Sequence, residues 1–238
     1  MDNAGYVTLT RMSGLRREMQ VIANNIANST TAGYRREGMV FSEFVVRAER
    51  HEPSLSMALG NTRHTYLLQG ALSQTNGTFD MAIEGEGYFQ LETPQGPRLT
   101  RAGTFTPNAA GELVNMDGHR LLDAGGAAIF VPPDARSVEI SRDGTLSAQG
   151  QPFGQVGLVR PVDPVTMSRA AGTLFAVDGA IEPVEAPNML QGFVEESNVD
   201  PMLELTRMIE VQRAYEGGQR LLDSEDERIK SVIQTLGR

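Results

Sequence analysis

The sequence predicts an α+β protein in which a central all-β domain is flanked by long N- and C-terminal helices that pair as a coiled-coil-like layer. Apolar residues near both ends recur at alternating spacings of three and four, as they do along the seam of a coiled coil. From about residue 70 to 190 the chain instead has short apolar runs separated by glycine-containing turns, which is typical of strands. Seam-forming patterns at both ends favour a subunit of an assembly over an enzyme.

The composition excludes several classes of function. A formal net charge of -9 over 238 residues disfavours a general surface for nucleic acid or for an anionic membrane. The absence of cysteine excludes disulfides and thiol chemistry. The start of the chain has no basic segment followed by an apolar one, so we expect no cleaved signal peptide. The longest apolar run, residues 127–131, is too short to cross a bilayer.

Residues 1–34 are predicted to form a helix that is followed by a turn. The apolar residues of the helix are spaced 3, 4, 3 and 4 apart and form one narrow seam: Met12, Leu15, Met19, Ile22 and Ile26. On spacing alone, an ordinary core helix remains an alternative. We expect the helix to end near Asn28, where serine, threonine and then Gly33 favour a turn.

Residues 35–69 are predicted to be an extended or loop connector. The apolar residues between 40 and 46 suit either a short helix or an extended piece, and residues 53–61 are interpreted as a loop.

Residues 70–195 are predicted to be the β domain. Asn76-Gly77, Asp117-Gly118 and Asp143-Gly144 are pairs that favour tight turns between strands. Short apolar runs lie between such turns, as in residues 137–140. This pattern predicts antiparallel strands joined by hairpins.

Residues 196–238 are predicted to contain a long C-terminal helix. Asp200 followed by Pro201 is a typical helix start, since the carboxylate caps the helix and proline is tolerated at its first position. At Gly217-Gly218 the helix either breaks or lets another backbone approach closely. The predicted seam keeps its spacing through Leu205, Met208, Gln212, Tyr215, Gln219, Leu222, Asp226, Ile229, Ile233 and Leu236.

Motifs for catalysis or for metal binding are absent from the sequence. There is no phosphate-binding loop, no His-Glu-x-x-His zinc motif and no Gly-x-Ser-x-Gly nucleophile motif. We therefore expect no catalytic residue, no cofactor and no metal. A hydrolase carboxylate pair remains open among the acidic residues near glycine turns, which are Glu84, Glu86, Asp117, Asp123 and Asp143.

Short strings at both ends resemble those of the bacterial flagellar rod and hook proteins. Residues 23–28 read Ala-Asn-Asn-Ile-Ala-Asn and continue as Ser-Thr-Thr-Ala-Gly-Tyr-Arg-Arg, which is similar to the family's N-terminal signature. Ala32 stands where that family usually has proline. Residues 195–200 and 208–216 resemble the family's strings at the other end, so the resemblance covers nearly the whole chain. Length and the short 47–65 segment are more similar to proximal-rod members than to distal-rod members.

The resemblance implies a mechanical function. It implies export by the flagellar type III apparatus and helical assembly with copies of the chain and with other rod proteins. The product would be a periplasmic rod that transmits motor torque, with the terminal helices as its inner layer. Neither membrane insertion nor nucleic-acid binding is implied. The expected assembly interface comprises Met12, Leu15, Met19, Ile22, Asn24, Asn25, Ile26, Ala27, Asn28, Gly33, Tyr34, Ser197, Asn198, Val199, Leu205, Met208, Gln212, Arg213, Tyr215, Glu216, Leu222, Ile229 and Ile233.

Other functions are kept as alternatives. A distal-rod protein of the same family is the nearest, and a secreted β-rich hydrolase or a binding module would belong to other classes. Because narrow seams offer little partner surface within one chain, we also predict that the terminal helices are largely disordered in the monomer and order on assembly.

Overall fold

The computed structural model describes residues 2–46 and 55–236, and it has an N-terminal helix, a mostly β central region and a C-terminal helix. The predicted α+β class is therefore confirmed. The helices are α1 (Asp2–Ala27) and α2 (Pro201–Leu236). The strands are β1 (Glu37–Val46), β2 (Leu55–Thr65), β3 (Leu72–Gln74), β4 (Met81–Ile83), β5 (Tyr88–Thr93), β6 (Gly96–Thr100), β7 (Thr106–Pro107), β8 (Leu113–Val114), β9 (Arg120–Leu121), β10 (Val138–Ile140), β11 (Thr145–Ala148), β12 (Gln151–Gln155), β13 (Leu158–Pro161), β14 (Met167–Ala171), β15 (Leu174–Val177), β16 (Ile181–Pro183), β17 (Met189–Gln191) and β18 (Phe193–Glu195), with a 3₁₀ turn at Pro164–Thr166.

The chain divides into two compact units. The helical unit contains the described residues of Met1–Ser29, Arg36–Tyr66 and Val199–Arg238, so it joins both ends of the chain with the segment that follows the first helix. The β unit contains Thr30–Arg35 and Leu67–Asn198.

In the helical unit, α1 packs against α2 in the antiparallel direction. Leu15, Ile22 and Val211 are buried between the helices, and half-buried residues such as Met19 and Met208 pack around them. Asp200 caps α2 as the sequence predicts, because its carboxylate accepts hydrogen bonds from the backbone N–H groups of residues 202 and 203 at 2.9 and 3.1 Å.

The helix α2 is unbroken at its two glycines. A Cβ atom added at Gly217 would meet nothing within 4 Å, whereas one at Gly218 would lie 2.9 Å from Cγ of Met12. The helix does not break, and the close neighbours at Gly218 are the side chains of Met12 and Thr8 in α1 and not another backbone.

The segment after the first helix forms a long hairpin. Strands β1 and β2 pair antiparallel from Glu37 opposite Thr65, with an irregularity between Val40 and Phe41. The interpretation of residues 55–61 as a loop is therefore wrong, and residues 53 and 54 lie outside the described residues. The physical reason is tertiary packing: a Cβ atom on Gly60 would lie 3.3 Å from the Cα atom of Gly14 in α1, so the two backbones pack directly together.

The β unit is built from small antiparallel sheets. Its largest sheet has the order β14-β15-β6-β5-β9-β8-β7, with β13 added beside β5 and β16 beside β13. A second sheet has the order β10-β11-β12, and β17 and β18 pair with β4 and β3. The predicted Asp-Gly turns are present, and Gly118 and Gly144 have φ angles of 82° and 84°, which favour glycine. The core comprises Met81, Ile83, Phe89, Leu91, Phe105, Leu113, Leu121, Ile129, Val131, Ile140, Leu146, Val156, Leu158, Leu174 and Met189.

Candidate assembly surfaces

The turn after the first helix is fixed inside the β unit. Gly33 has a φ angle of 70°, and a Cβ atom there would lie 2.2 Å from the backbone nitrogen of Ala102. Its own N–H donates to the carbonyl oxygen of Glu195 at 2.7 Å. Tyr34 is buried, with the Arg169 guanidinium 4.4 Å from its ring centroid. The turn therefore requires glycine at position 33, both for its backbone angles and for space.

A buried ion cluster joins this turn to the strand that ends the β unit. The carboxylate of Glu195, which is 0% exposed, contacts Arg35 at 2.5 Å and Arg101 at 3.1 Å. Two guanidinium groups thus share one carboxylate. Burial lowers the pKa of Arg35 below its ordinary value, and the neighbouring Glu195 opposes that shift. Among the described residues, no hydrogen-bond partner is found for Nε and Nη2 of Arg35 or for Nε of Arg101.

A second polar cluster lies in the helical unit. Asn25 is fully buried and donates from Nδ2 to the Glu37 carbonyl oxygen at 2.8 Å and to Oε2 of Glu204 at 2.9 Å. Its Oδ1 accepts from the Glu37 N–H at 3.0 Å. Glu204 is only 1% exposed and forms an ion pair with Arg36 at 2.5 Å. This cluster connects α1, β1 and α2 and so fixes where α2 begins beside α1.

An ion pair continues the alignment of the two helices. Oε1 of Glu18 accepts from Nε and Nη2 of Arg207 at 3.0 and 2.9 Å. Along α1, the Glu18–Arg207 ion pair lies between the polar cluster at Asn25 and the apolar contacts of Leu15. Polar and apolar contacts therefore alternate along the two helices, and together they specify the register of α1 against α2.

The structure places the predicted interface residues in three environments. Seven are buried within the chain: Met12, Leu15, Ile22, Asn25, Gly33, Tyr34 and Val199. Eight are half-buried: Met19, Ile26, Asn28, Ser197, Asn198, Met208, Tyr215 and Leu222. Eight are exposed: Asn24, Ala27, Leu205, Gln212, Arg213, Glu216, Ile229 and Ile233.

The exposed apolar residues of the helices cover more surface than the predicted seam includes. That seam missed several large exposed side chains: Tyr6, Leu9, Met202, Leu203, Ile209, Leu221 and Val232. Residues 202, 205 and 209 are spaced 3 and 4 apart, so a second exposed stripe branches from the predicted seam at Leu205. The spacing of these apolar residues in the sequence is the signal that indicates this stripe.

The last turns of α2 extend beyond the reach of α1. Thr8 lies opposite Gly218, and the part of α1 that precedes Thr8 continues for less than two turns. The final ten residues of α2 therefore have no helix opposite them within the described chain. Four large apolar side chains there are exposed to solvent: Ile229, Val232, Ile233 and Leu236.

The residues that the structure describes contain no group of three or more His, Cys, Asp or Glu side chains placed to hold a metal ion. None of the described helices is both long enough and apolar enough to cross a membrane.

The two helices pack against each other and carry exposed apolar side chains, and the same chain has a β unit with its own core. These features are typical of a structural subunit. Three family models match the chain in order: the flagella basal body rod protein at residues 6–35, the flagellar hook protein FlgE/F/G D1 domain at residues 82–148, and the flagellar basal body rod FlgEFG protein C-terminal region at residues 190–235.

Named relatives cover the whole chain. The flagellar basal-body rod protein FlgF of Caulobacter vibrioides is 36% identical over 100% of this chain and 99% of its own length. FlgF of Mesorhizobium japonicum is 36% identical over the same shares, and the rod protein FlgG of Bacillus subtilis is 29% identical over 96% of this chain and 97% of its own. This chain belongs to the flagellar basal-body rod protein family, and within that family it is most like FlgF.

Proposed function

We propose that this chain is an axial structural subunit of the proximal rod that assembles helically with copies of itself and with other rod proteins. Membership of the rod protein family supports the structural role, and the higher identity to FlgF proteins than to the Bacillus FlgG supports the proximal position. No catalytic step is part of this proposal. The observation that carries it is the exposed apolar surface of α2 that α1 does not cover.

The free energy available from burying these exposed apolar side chains is enough for association only if many of them are covered together. Complete burial of a leucine or isoleucine side chain contributes about 1.5 to 3 kcal/mol, and these side chains are about half exposed, so each would contribute about 1 kcal/mol. Association costs about 4 to 15 kcal/mol in lost freedom of motion. Several such residues must therefore be covered at once. A helix that packs among several neighbouring helices covers that many, whereas a contact between only two side chains does not.

The terminal helices would form a coiled-coil-like layer in the assembly, with residues 1–34 and 196–238 as its parts and the β domain of residues 70–195 outside it. Polar residues such as Gln212 and Asn24 are exposed in the single chain, and at a seam they would limit the number and register of partners. The predicted interface residues that are already buried, such as Asn25, would act by holding the helices in place.

Torque transmission requires that the helices do not slide past each other. The buried Asn25, Glu204 and Arg36 cluster opposes sliding, because any shift would leave charged groups buried without partners. We further propose that the chain reaches the periplasmic rod of the basal body through the flagellar type III export apparatus without a cleaved signal peptide. Full order of the terminal helices would then follow on assembly.

The experiment replaces two exposed residues of α2, Ile229→Ser together with Ile233→Ser. We expect the purified monomer to keep its circular dichroism spectrum, because both side chains face solvent, while incorporation into rods and motility are lost. Met116→Ser in the β unit is the matched control, since Met116 is 91% exposed and should tolerate the change. Normal rods and motility in the double variant would contradict the proposal.

A further inference from the structure

The Asn76-Gly77 pair joins strands of two different sheets instead of closing a hairpin. It follows β3, which pairs with β18, and it precedes β4, which pairs with β17. Asn76 has a φ angle of 59°, in the left-handed region, whereas the φ angle of Gly77 lies outside that region. Asn76 is also the one asparagine of the sequence that is followed by glycine. The backbone angles of position 77 therefore do not explain why glycine stands there.

An acceptor for the proton of the Gly77 amide lies beside it. The Gly77 N–H donates to Oγ1 of Thr75 at 3.2 Å, and the Thr75 hydroxyl donates to Oδ2 of Asp80 at 2.5 Å. A Cβ atom on residue 77 would clash with the Asp80 carboxylate, so glycine is required here for space. A carboxylate linked through one hydroxyl group is placed to take the proton that this nitrogen must lose when it forms a new bond.

The side-chain amide of Asn76 is polarised by a neighbour. Its Oδ1 accepts from Nε2 of Gln74 at 2.8 Å. When a nitrogen atom attacks the amide carbon, negative charge develops on this oxygen, and a donor that is already in place stabilises that charge. Gln74, Thr75 and Asn76 are exposed, so water reaches the turn. A nucleophile, a proton acceptor and an oxyanion donor therefore meet in one turn.

Backbone hydrogen bonds to β17 and β18 hold these groups in position. The N–H groups of Thr75 and Asn76 donate to the Gly192 carbonyl oxygen at 2.7 and 3.0 Å, and the Gly192 N–H donates to the Asp80 carbonyl oxygen at 2.8 Å. Attack requires rotation of the Gly77 amide and of the Asn76 side chain towards each other. The bond from the Gly77 N–H to Thr75 is near the upper limit of length for such bonds, so this rotation costs little.

We propose that Asn76-Gly77 is a self-modification site at which the folded chain deamidates its own asparagine. The Gly77 nitrogen attacks Cγ of Asn76 while its proton passes through Thr75 to Asp80. Asp80 returns that proton to the side-chain nitrogen, which leaves as ammonia, and a cyclic imide remains. Water then opens the imide at either of its two C–N bonds and gives aspartate or isoaspartate, so the chain gains one negative charge. The reaction belongs to the β unit and does not rest on the proposed function.

The test compares the deamidation rate of the folded full chain with that of the same chain unfolded in guanidinium chloride, at one pH and one temperature. Peptide mass spectrometry measures both rates, and Asn115, at the start of the turn at Gly118, is the internal control. Asn76 should react about fivefold faster in the folded chain, because the proton acceptor and the Gln74 donor are assembled only there. Asn115 should gain nothing from folding. A folded chain that deamidates Asn76 no faster than the unfolded chain would overturn the proposal.

Two variants distinguish proton transfer from a turn that is merely loose. Asp80→Asn keeps the size of the side chain and should slow the folded chain about tenfold while the unfolded rate stays the same. Between about pH 5 and pH 7 the folded wild-type rate should be nearly constant, because a carboxylate and not hydroxide removes the proton, whereas the rate of Asp80→Asn should rise with pH. Parallel pH profiles, or faster reaction of the folded Asp80→Asn variant, would refute the proton transfer.

Gln74→Ala tests the oxyanion donor at an exposed position, where the change leaves the fold intact. It should slow the reaction of the folded chain about threefold and leave the unfolded rate unchanged. An equal folded rate in wild type and Gln74→Ala would contradict the assigned role of this donor.

Discussion

The two units of this chain differ in what stabilises them. In the β unit, fifteen buried apolar residues form one cluster among the described residues. In the helical unit the corresponding cluster has three buried residues, Leu15, Ile22 and Val211. Both units bury polar groups, but those of the helical unit, including Asn25 and Glu204, are a larger share of its interior.

This difference indicates that the β unit is built mainly to fold by itself, whereas the helical unit is built to associate with neighbours. The β unit buries a large apolar core of its own, as an independently stable domain does, and it leaves some apolar side chains such as Met116 and Val165 exposed. The helical unit uses polar contacts to define how α1 and α2 align, and it leaves apolar side chains on its surface. Because polar contacts contribute more to specificity than to net stability, this unit is suited to complete its packing with neighbours.

The largest effect is expected from a core substitution in the β unit. Phe89 is 0% exposed and lies in its apolar cluster, so Phe89→Ala should lower the free energy of unfolding by about 3 to 5 kcal/mol. Chemical denaturation followed by tyrosine fluorescence measures this. Met116→Ala, at an exposed site, should change it by less than about 0.5 kcal/mol. Equal effects of the two substitutions would contradict the assignment of the core.

The next effect concerns the buried ion pair of the helical unit. Arg36→Met removes the cation that pairs with the buried Glu204 and should destabilise the helix pair by about 2 kcal/mol. This value is below the usual cost of breaking a fully buried ion pair, because Arg36 is partly exposed. The double variant Arg36→Met with Glu204→Gln should recover most of that loss, since no charge remains buried and the glutamine oxygen can still accept from Asn25. Thermal unfolding followed at 222 nm tests both. A double variant that is less stable than the single variant would show that the pair stabilises the unit.

A smaller effect distinguishes the two adjacent glycines of α2. Gly217→Ala should stabilise the helix by about 1 kcal/mol, because alanine has the higher helix propensity and nothing lies within 4 Å. Gly218→Ala should gain less or lose stability, because its methyl group would press on Met12. The same thermal measurement compares the two variants. Equal gains would show that α1 does not pack closely at this point.

The smallest effect is a pH dependence in a turn of the β unit. Asp143 accepts hydrogen bonds from the Thr145 N–H at 3.1 Å and from its hydroxyl group at 2.9 Å, which lower the pKa of Asp143 below its ordinary value of 3.8. A depressed folded-state pKa stabilises the fold above the unfolded value, and that contribution is lost as the pH falls through the folded value.

The substitution Asp143→Asn should therefore flatten the fall in stability below about pH 4, and Thr145→Val should flatten it partly. Urea midpoints measured across that range would show the effect. An unchanged slope in the asparagine variant would contradict the role of this carboxylate.

The sequence predicted the parts of the fold that depend on local signals. The Asp200 cap and the glycine turns at residues 118 and 144 are each set by neighbouring residues. The predicted seam of the first helix is only part of its buried face, which also contains Thr8, Glu18, Val21 and Asn25. The hairpin of β1 and β2 was missed because it depends on packing of Gly60 against Gly14, which lies far away in sequence.

The candidate surfaces were predicted less completely for a related reason. Spacing alone does not show which polar residues become buried, and Asn25 looks like its neighbours in the sequence although its side chain is buried and donates to Glu204. The joining of Gly33 and Glu195 in the β unit also depends on residues that are distant in sequence. Long-range pairs of this kind are not encoded in a local pattern.

Hydrogen exchange of the monomer and of assembled rods tests the central claim most directly. In the monomer, amides of Leu121 and its strand neighbours should be strongly protected, while those of residues 227–236 exchange quickly. On assembly, the end of α2 should gain protection by at least about tenfold, while the β core changes little. Strong protection of the end of α2 already in a verified monomer, or a gain confined to the β unit, would contradict the account.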